Sequence, residues 1–328
     1  MGEFSNLHKI RVQVVNFGLH KLIFELGKLL ARCPGLTDLD IYIEDVYYED
    51  FFGESALDTM SKLFRFLDKT GKPLSLRNLR MNGLSVSPRC MELGIRNLRS
   101  LQSLHIYKFS STTSSGLEHT IWDVLRKERI YIQSLSTDAA DDSLLRYLSS
   151  FNGMRKFSLI KYSFPQFDPI SLLQIMIPHH AESLTELSVL EGSECQFRLI
   201  WSENLVNLLS SFKNLQYFGV QCYSSIIVGV FCNVNIFVSS LTRSQESTIQ
   251  NCTKIFPKLQ RLVLHTPMMA ISPQNAILSP STIFHDAITQ YQLNSSPVAS
   301  FEIECEGRVY IPRHDETTGT FSYHLRIC

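Results

Sequence analysis

Leu184-Thr185-Glu186-Leu187-Ser188-Val189 is the stretch on which the reading of this chain turns. It carries apolar residues at its first, fourth and sixth places, and the phrase recurs. Further copies start at Leu36, Leu76, Leu101, Met154, Leu215 and Leu259, with weaker ones at Leu7, Ile132 and Val298. In a strand alternate side chains share a face, so places four and six point one way and places three and five the other. The apolar residue at place one, just ahead of the strand, reaches the same core as the chain turns in. With 44% hydrophobic residues, three such places coincide by chance at about one start in twelve. Pattern alone is therefore weak, and spacing strengthens it. From Leu76 to Leu215 the starts lie 25, 31, 22, 30 and 31 residues apart.

Apolar residues at helical spacing fill the intervals. Leu22, Ile23, Leu26, Leu29 and Leu30 mark a first helix, which Cys33-Pro34-Gly35 stops. Leu57, Met60, Leu63, Phe64 and Leu67 mark a second, and 89–98 a short third. Leu117, Ile121, Val124 and Leu125 form the next face, then Leu144, Leu145, Leu148 and Phe151. Asp141 and Asp142 suit the N-terminal end of that helix, where free amides favour negative charge. Leu172, Leu173, Met176 and Ile177 precede a helix end at Pro178, and Leu205, Leu208, Leu209 and Phe212 precede Leu215.

Strand, helix, strand at this spacing implies parallel strands joined by right-handed crossovers. One strand with one helix cannot bury its apolar face, whereas stacked neighbours can. The expected fold is α/β, a leucine-rich-repeat-like solenoid with its parallel sheet on the concave side and helices on the convex side. Residues 1–305 would form the irregular solenoid and residues 306–328 a C-terminal cap or tail. In that tail Tyr310, Phe321, Tyr323 and Leu325 suggest a hairpin around Thr317-Thr318-Gly319-Thr320. Periodicity loosens after Tyr223. The apolar run Ile226–Val238 is too short to span a bilayer and reads as a buried helix.

Composition narrows the function classes. Lys and Arg total 31 against 31 Asp and Glu, which speaks against a nucleic-acid or anionic-membrane binder, since both need a clustered basic excess. The eight Cys are scattered without a C-x-x-C pair and read as buried free thiols in a reducing compartment. The opening Met1-Gly2-Glu3-Phe4 lacks the basic and apolar regions of a secretory signal. Cytoplasm or nucleus is the expected location.

No G-x-S-x-G, Walker-type loop, G-x-G-x-x-G or H-E-x-x-H occurs. His179-His180 with Glu182 is the densest cluster of possible ligands, but adjacent histidines do not share a helix face, and they read as helix-end residues. Glu302, Glu304 and Glu306 alternate on a late strand without the Asp and Gly of a cation loop, and read as a solvated strand face. No catalytic residue, cofactor or metal is expected.

Surface recognition is the better candidate. The outward places hold Lys9, Arg11, Asn78, Asn82, Lys156, Glu186 and Gln221, and a mosaic of charge and aromatic rings. Asp38, Asp40, Tyr42, Arg80, His105, Tyr107, Tyr217, Arg261 and His265 are the candidate partner-binding residues. Tyr and Arg are the side chains most often found as binding hot spots. The expected function is a non-catalytic protein-binding scaffold whose concave face takes another protein. The alternative is an enzyme, or a GTPase-activating repeat protein, on an α/β frame.

His180-Ala181-Glu182-Ser183-Leu184-Thr185-Glu186-Leu187, Phe212-Lys213-Asn214-Leu215-Gln216-Tyr217-Phe218 and Phe256-Pro257-Lys258-Leu259-Gln260-Arg261-Leu262-Val263-Leu264 are similar to the irregular repeats of fungal F-box-type proteins. The resemblance covers about residues 1–305. It implies that the repeats select a protein substrate for a ubiquitin ligase, which an F-box joins through a Skp-type adaptor. No Leu-Pro-led F-box helix precedes Leu36. The Asn or Cys that often follows the strand in that family is replaced by Glu44, Leu84, Phe109, Gly192 and Pro267. This chain alone is therefore expected not to bind the adaptor.

Overall fold

The structure is a computed structural model. It describes residues 4, 6–14, 19–43, 59–69, 73–83, 86, 88–107, 120–138, 140–162, 169–191, 203–221, 251–252, 255–265, 285, 288–289, 292–293, 301–305, 307–317 and 320–326. Strands alternate with helices and most strand pairs are parallel, so the fold is mixed α/β. The chain divides into two compact units, residues 1–154 and 155–328.

In the first unit the order is β1 (Lys9–Val14), α1 (Leu19–Leu30), β2 (Asp38–Ile43), α2 (Thr59–Lys69) and β3 (Asn78–Asn82). It continues with α3 (Pro88–Leu98), β4 (Ser103–Tyr107), α4 (Ile121–Lys127), β5 (Ser134–Thr137) and α5 (Asp142–Leu148). The five strands lie parallel in sequence order. Successive helices pack on one another from α1 to α5. The second unit has β6 (Lys156–Tyr162), α6 (Pro169–His180), β7 (Glu186–Glu191), α7 (Glu203–Leu209), β8 (Tyr217–Gln221) and β9 (Arg261–His265). Then come β10 (Gln292–Leu293), β11 (Glu302–Cys305), β12 (Arg308–Asp315) and β13 (Thr320–Leu325). Here β6 to β9 and β11 are parallel neighbours, and β12, β13 and β10 continue the sheet antiparallel.

The repeated phrase works as its period demands. Place-one residues Leu36, Leu76, Ile132, Met154, Leu184 and Leu215 are fully buried, as are Leu79, Leu104, Leu187 and Leu262 at place four. The second place carries a job that hydrophobicity does not reveal. His8 O accepts from the amides of both Thr37 and Asp38, and Thr37 O from those of Arg77 and Asn78. Arg77 O serves Gln102 and Ser103, and Gln102 O serves Gln133 and Ser134. Arg155, Thr185 and Gln216 repeat the arrangement in the second unit. Each phrase thus clamps the start of the next strand, fixing a register that keeps the apolar places inward.

Two expectations need correction. The phrase assigned to Val298 is two residues out of register. Ile303, not Phe301, pairs with Leu262, and the Glu302 amide bonds Gln260 O as a third-place amide should. The shift is even, so inward and outward faces are unchanged. Secondly, α6 does not end at Pro178 but runs through it to His180. A proline in the last turn costs one intrahelical bond and is tolerated where the helix is about to stop. His180 is 1% exposed, and its carbonyl accepts from Ser183 and Leu184 to close the turn into β7.

The tail hairpin forms as expected, β12 against β13, with Tyr310 and Tyr323 buried. At the N-terminus of α5 Asp141 accepts from the Leu144 amide at 2.8 Å. Trp122 of α4 stacks on Tyr147 of α5, whose hydroxyl donates to Ile130 O and accepts from the Ile132 amide. Burial pushes that hydroxyl's pKa up, so it stays protonated and bridges the turn into β5. Cys33, Cys90, Cys252 and Cys305 are buried and are not joined in disulfides. Leu117, the run Ile226–Val238 and the other four cysteines lie outside the described residues.

Candidate functional site

The outward places of the first unit make three rows across the strands. One is Lys9, Asp38, Asn78, Ser103 and Ser134; the next is Arg11, Asp40, Arg80, His105 and Ser136. The third holds Gln13, Tyr42, Asn82 and Tyr107. Parallel pairing puts like places side by side, so Asp38, Asp40, Tyr42, Arg80, His105 and Tyr107 come together on one polar face.

Polar pairing knits much of this face. Arg11 Nε holds Asp40 at 3.1 Å, and Asn78 Nδ2 donates to Asp38 at 2.7 Å. Asp38 also accepts from the Thr37 hydroxyl at 2.6 Å. Tyr107 and Ser136 share a hydrogen bond between hydroxyls, and Ser136 is 4% exposed. His105 sits beside Tyr107 with ring centres 6.4 Å apart. Burial, and then the Arg80 charge, press its pKa down to about 4 against the weaker pull of Asp40. The imidazole is therefore neutral near neutral pH. Its Nδ1 is buried with no hydrogen-bond partner, and Asn82 Oδ1 is in the same state.

In the second unit Tyr217 and Arg261 stand in one row with Lys156, Glu186 and Glu302. Arg261 reaches Glu302 at 3.0 Å and Glu304 at 3.4 Å, and Arg326 also binds Glu302. Slight burial works against ionisation of Glu302, but hydrogen bonds from Arg326 and Arg261 hold its carboxyl below the usual range. Lys156 pairs with Glu186. Tyr217 titrates higher than usual because it is half-buried and lies near Glu304 and Glu186, with Arg261 opposing them. Beside this row Gly219 faces Ser188 so closely that a Cβ would lie 2.5 Å from the Ser188 Oγ. His265 ends β9 in register with Gln221.

Each candidate thus falls on a parallel strand, but their circumstances differ. Arg261 is engaged inside its own unit, and Glu302 and Glu304 are its partners rather than a freely solvated row. Arg80 is exposed and has no carboxylate among the described residues. Asn82 and Ser136 matter more than their sequence suggested. Asn82 is already among the outward places though not among the candidates, and reading every such place, polar or small, would have added Ser136. Among the described residues no three His, Cys, Asp or Glu converge to hold a metal ion, and no helix is long and apolar enough to cross a membrane.

No protein-family model matches this chain, and no curated protein matches its sequence.

Proposed function

We propose that the chain is a non-catalytic protein-binding module. The fold behind this reading is a leucine-rich-repeat-like solenoid, its strands on the concave side and its helices on the convex side. Residues 306–328 cap it. The observation that carries the reading is the polar face of the first unit, where Tyr42, Arg80, Asn82, His105 and Tyr107 stand in register on three strands. Such a face offers rigid aromatic surface and directional polar groups on a frame whose backbone bonds are already satisfied, which suits recognition of another protein.

The resemblance of the repeats to those of fungal F-box-type proteins supports a narrower version, selection of a substrate for a ubiquitin ligase in the cytoplasm or nucleus. In that version this chain does not itself hold a Skp-type adaptor. Leu26 and Leu30 of α1 are buried in the core, so displaying them to an adaptor would uncover the first repeat. The balanced charge is a poor match to nucleic acid.

The test is affinity capture with the purified chain as bait, followed by mass spectrometry, alongside a variant carrying Tyr42→Ala and Arg80→Ala. Proteins held by the wild type and lost by a variant with an unchanged circular dichroism spectrum support the reading. An identical set from both baits refutes it.

A further inference from the structure

One cation and two polar atoms lie together on β3 and β4 without the partners their chemistry requires among the described residues. Three arginines face outward from the parallel strands, Arg11, Arg80 and Arg261. Arg11 has Asp40, and Arg261 has Glu302 and Glu304. Arg80 alone has no carboxylate in ion-pair reach among the described residues; Asp40, its register partner on β2, pairs with Arg11 at 3.1 Å. His105, its partner on β4, leaves Nδ1 without a hydrogen bond. Asn82, two residues further along β3, leaves Oδ1 without one.

Folded proteins rarely leave such atoms unpaired, and a guanidinium with no carboxylate among the described residues next to two of them marks a surface short of a ligand. Their needs define that ligand. The guanidinium asks for an oxyanion, the Asn82 oxygen for an N–H, and the imidazole nitrogen for either, according to its tautomer. Asn82 and His105 are half-buried side chains, and a turn about χ2 is the movement by which the covered atoms would meet a ligand. A simple anion would serve Arg80 and leave Asn82 wanting. A polyanion would need several free cations beside Arg80, and in its own row Arg11 is engaged.

We infer that an extended acidic segment of a protein partner docks across β3 and β4, an Asp or Glu carboxylate on Arg80 and a nearby backbone N–H on Asn82 Oδ1. This rests on the protein-binding reading and specifies the partner's chemistry. His105 supplies a neutral ring edge that does not compete with the incoming carboxylate.

The experiment pans a display library of short random peptides on the purified chain. Enriched peptides are then titrated by fluorescence anisotropy against wild type, Arg80→Gln, Arg80→Lys and Asn82→Ala, each checked by circular dichroism. Enrichment of one fixed Asp or Glu is expected. Arg80→Gln should weaken binding about tenfold or more, while Arg80→Lys keeps it within about threefold. Replacing the peptide's carboxylate by its amide should cost wild type that same factor and cost Arg80→Gln little, as direct contact requires. Peptides without an acidic preference, or acidic peptides that bind Arg80→Gln as tightly as wild type, overturn the inference. So does competition by inorganic phosphate equal to that of the peptides, which would make the site a simple anion hole. Failure here with proteins still captured through the Tyr42 face would leave the broader reading standing.

Discussion

Acidification should remove stability from the first unit through His105. The imidazole is held near pKa 4 in the fold, first by burial and then by Arg80. Free in the unfolded chain it titrates near its usual value of about 6.5. Between those values the unfolded state binds a proton that the folded state refuses. The stabilisation is therefore intact at neutral pH and declines as pH falls through about 6.5, levelling below about 4. The full shift corresponds to about 2 kcal/mol lost between about pH 7 and pH 5. The ring is partly open to water, so screening brings this to about 1 kcal/mol. Urea denaturation at both pH values, on wild type and His105→Gln, isolates the contribution because every other group titrates in both proteins. Wild type should lose about 1 kcal/mol more than the variant on acidification. Equal losses would refute the claim that this imidazole is buried neutral beside Arg80.

Two further outcomes test the frame. Leu187 is fully buried in β7 between Phe157 and Phe218, so Leu187→Asp should cost about 4 kcal/mol or more by burying an unpaired carboxylate. A thermal midpoint equal to wild type would mean that this place faces water. Tyr147→Phe removes the hydroxyl that bridges Ile130 and Ile132 and should cost about 1–3 kcal/mol. Faster hydrogen exchange at the Ile132 amide would accompany it, and unchanged exchange would place that amide's partner elsewhere.

The α/β character was legible in the sequence because period-two phrases and helical faces alternate, and tertiary packing agreed with both. Within each unit the phrases fell in register, save the one at Val298, since a misplacement by one residue would have turned leucines such as Leu79 or Leu262 to solvent. That one slipped because Phe301 imitates a fourth-place residue. It is buried at the second place instead, which apolar spacing cannot distinguish. The helix through Pro178 was hidden for a similar reason. Proline weakens a helix locally, but the His180 carbonyl still closes the turn. The backbone clamp at place two is made by carbonyls, so the polar side chains of His8, Thr37, Arg77, Gln102, Arg155, Thr185 and Gln216 did not announce it.

Residue type alone could not rank the candidate site, and the two arginines show why. Arg80 at the fifth place and Arg261 at the third both face outward and look interchangeable as hot spots. Reversing Arg261 to Glu would set a third carboxylate against Glu302 and Glu304 and strand Arg326's partner in a repulsive cluster. A binding defect in that variant would report on the fold. Among the described residues Arg80 has no such ion pair, and Asp40 opposite it in the register pairs with Arg11. Loss of Arg80 should leave the ion pairs of the described residues intact and so test recognition apart from folding. What separates a recognition residue from a structural one on this sheet is whether its neighbours have already satisfied it. That depends on which strands lie side by side, a property of the register that no single phrase contains.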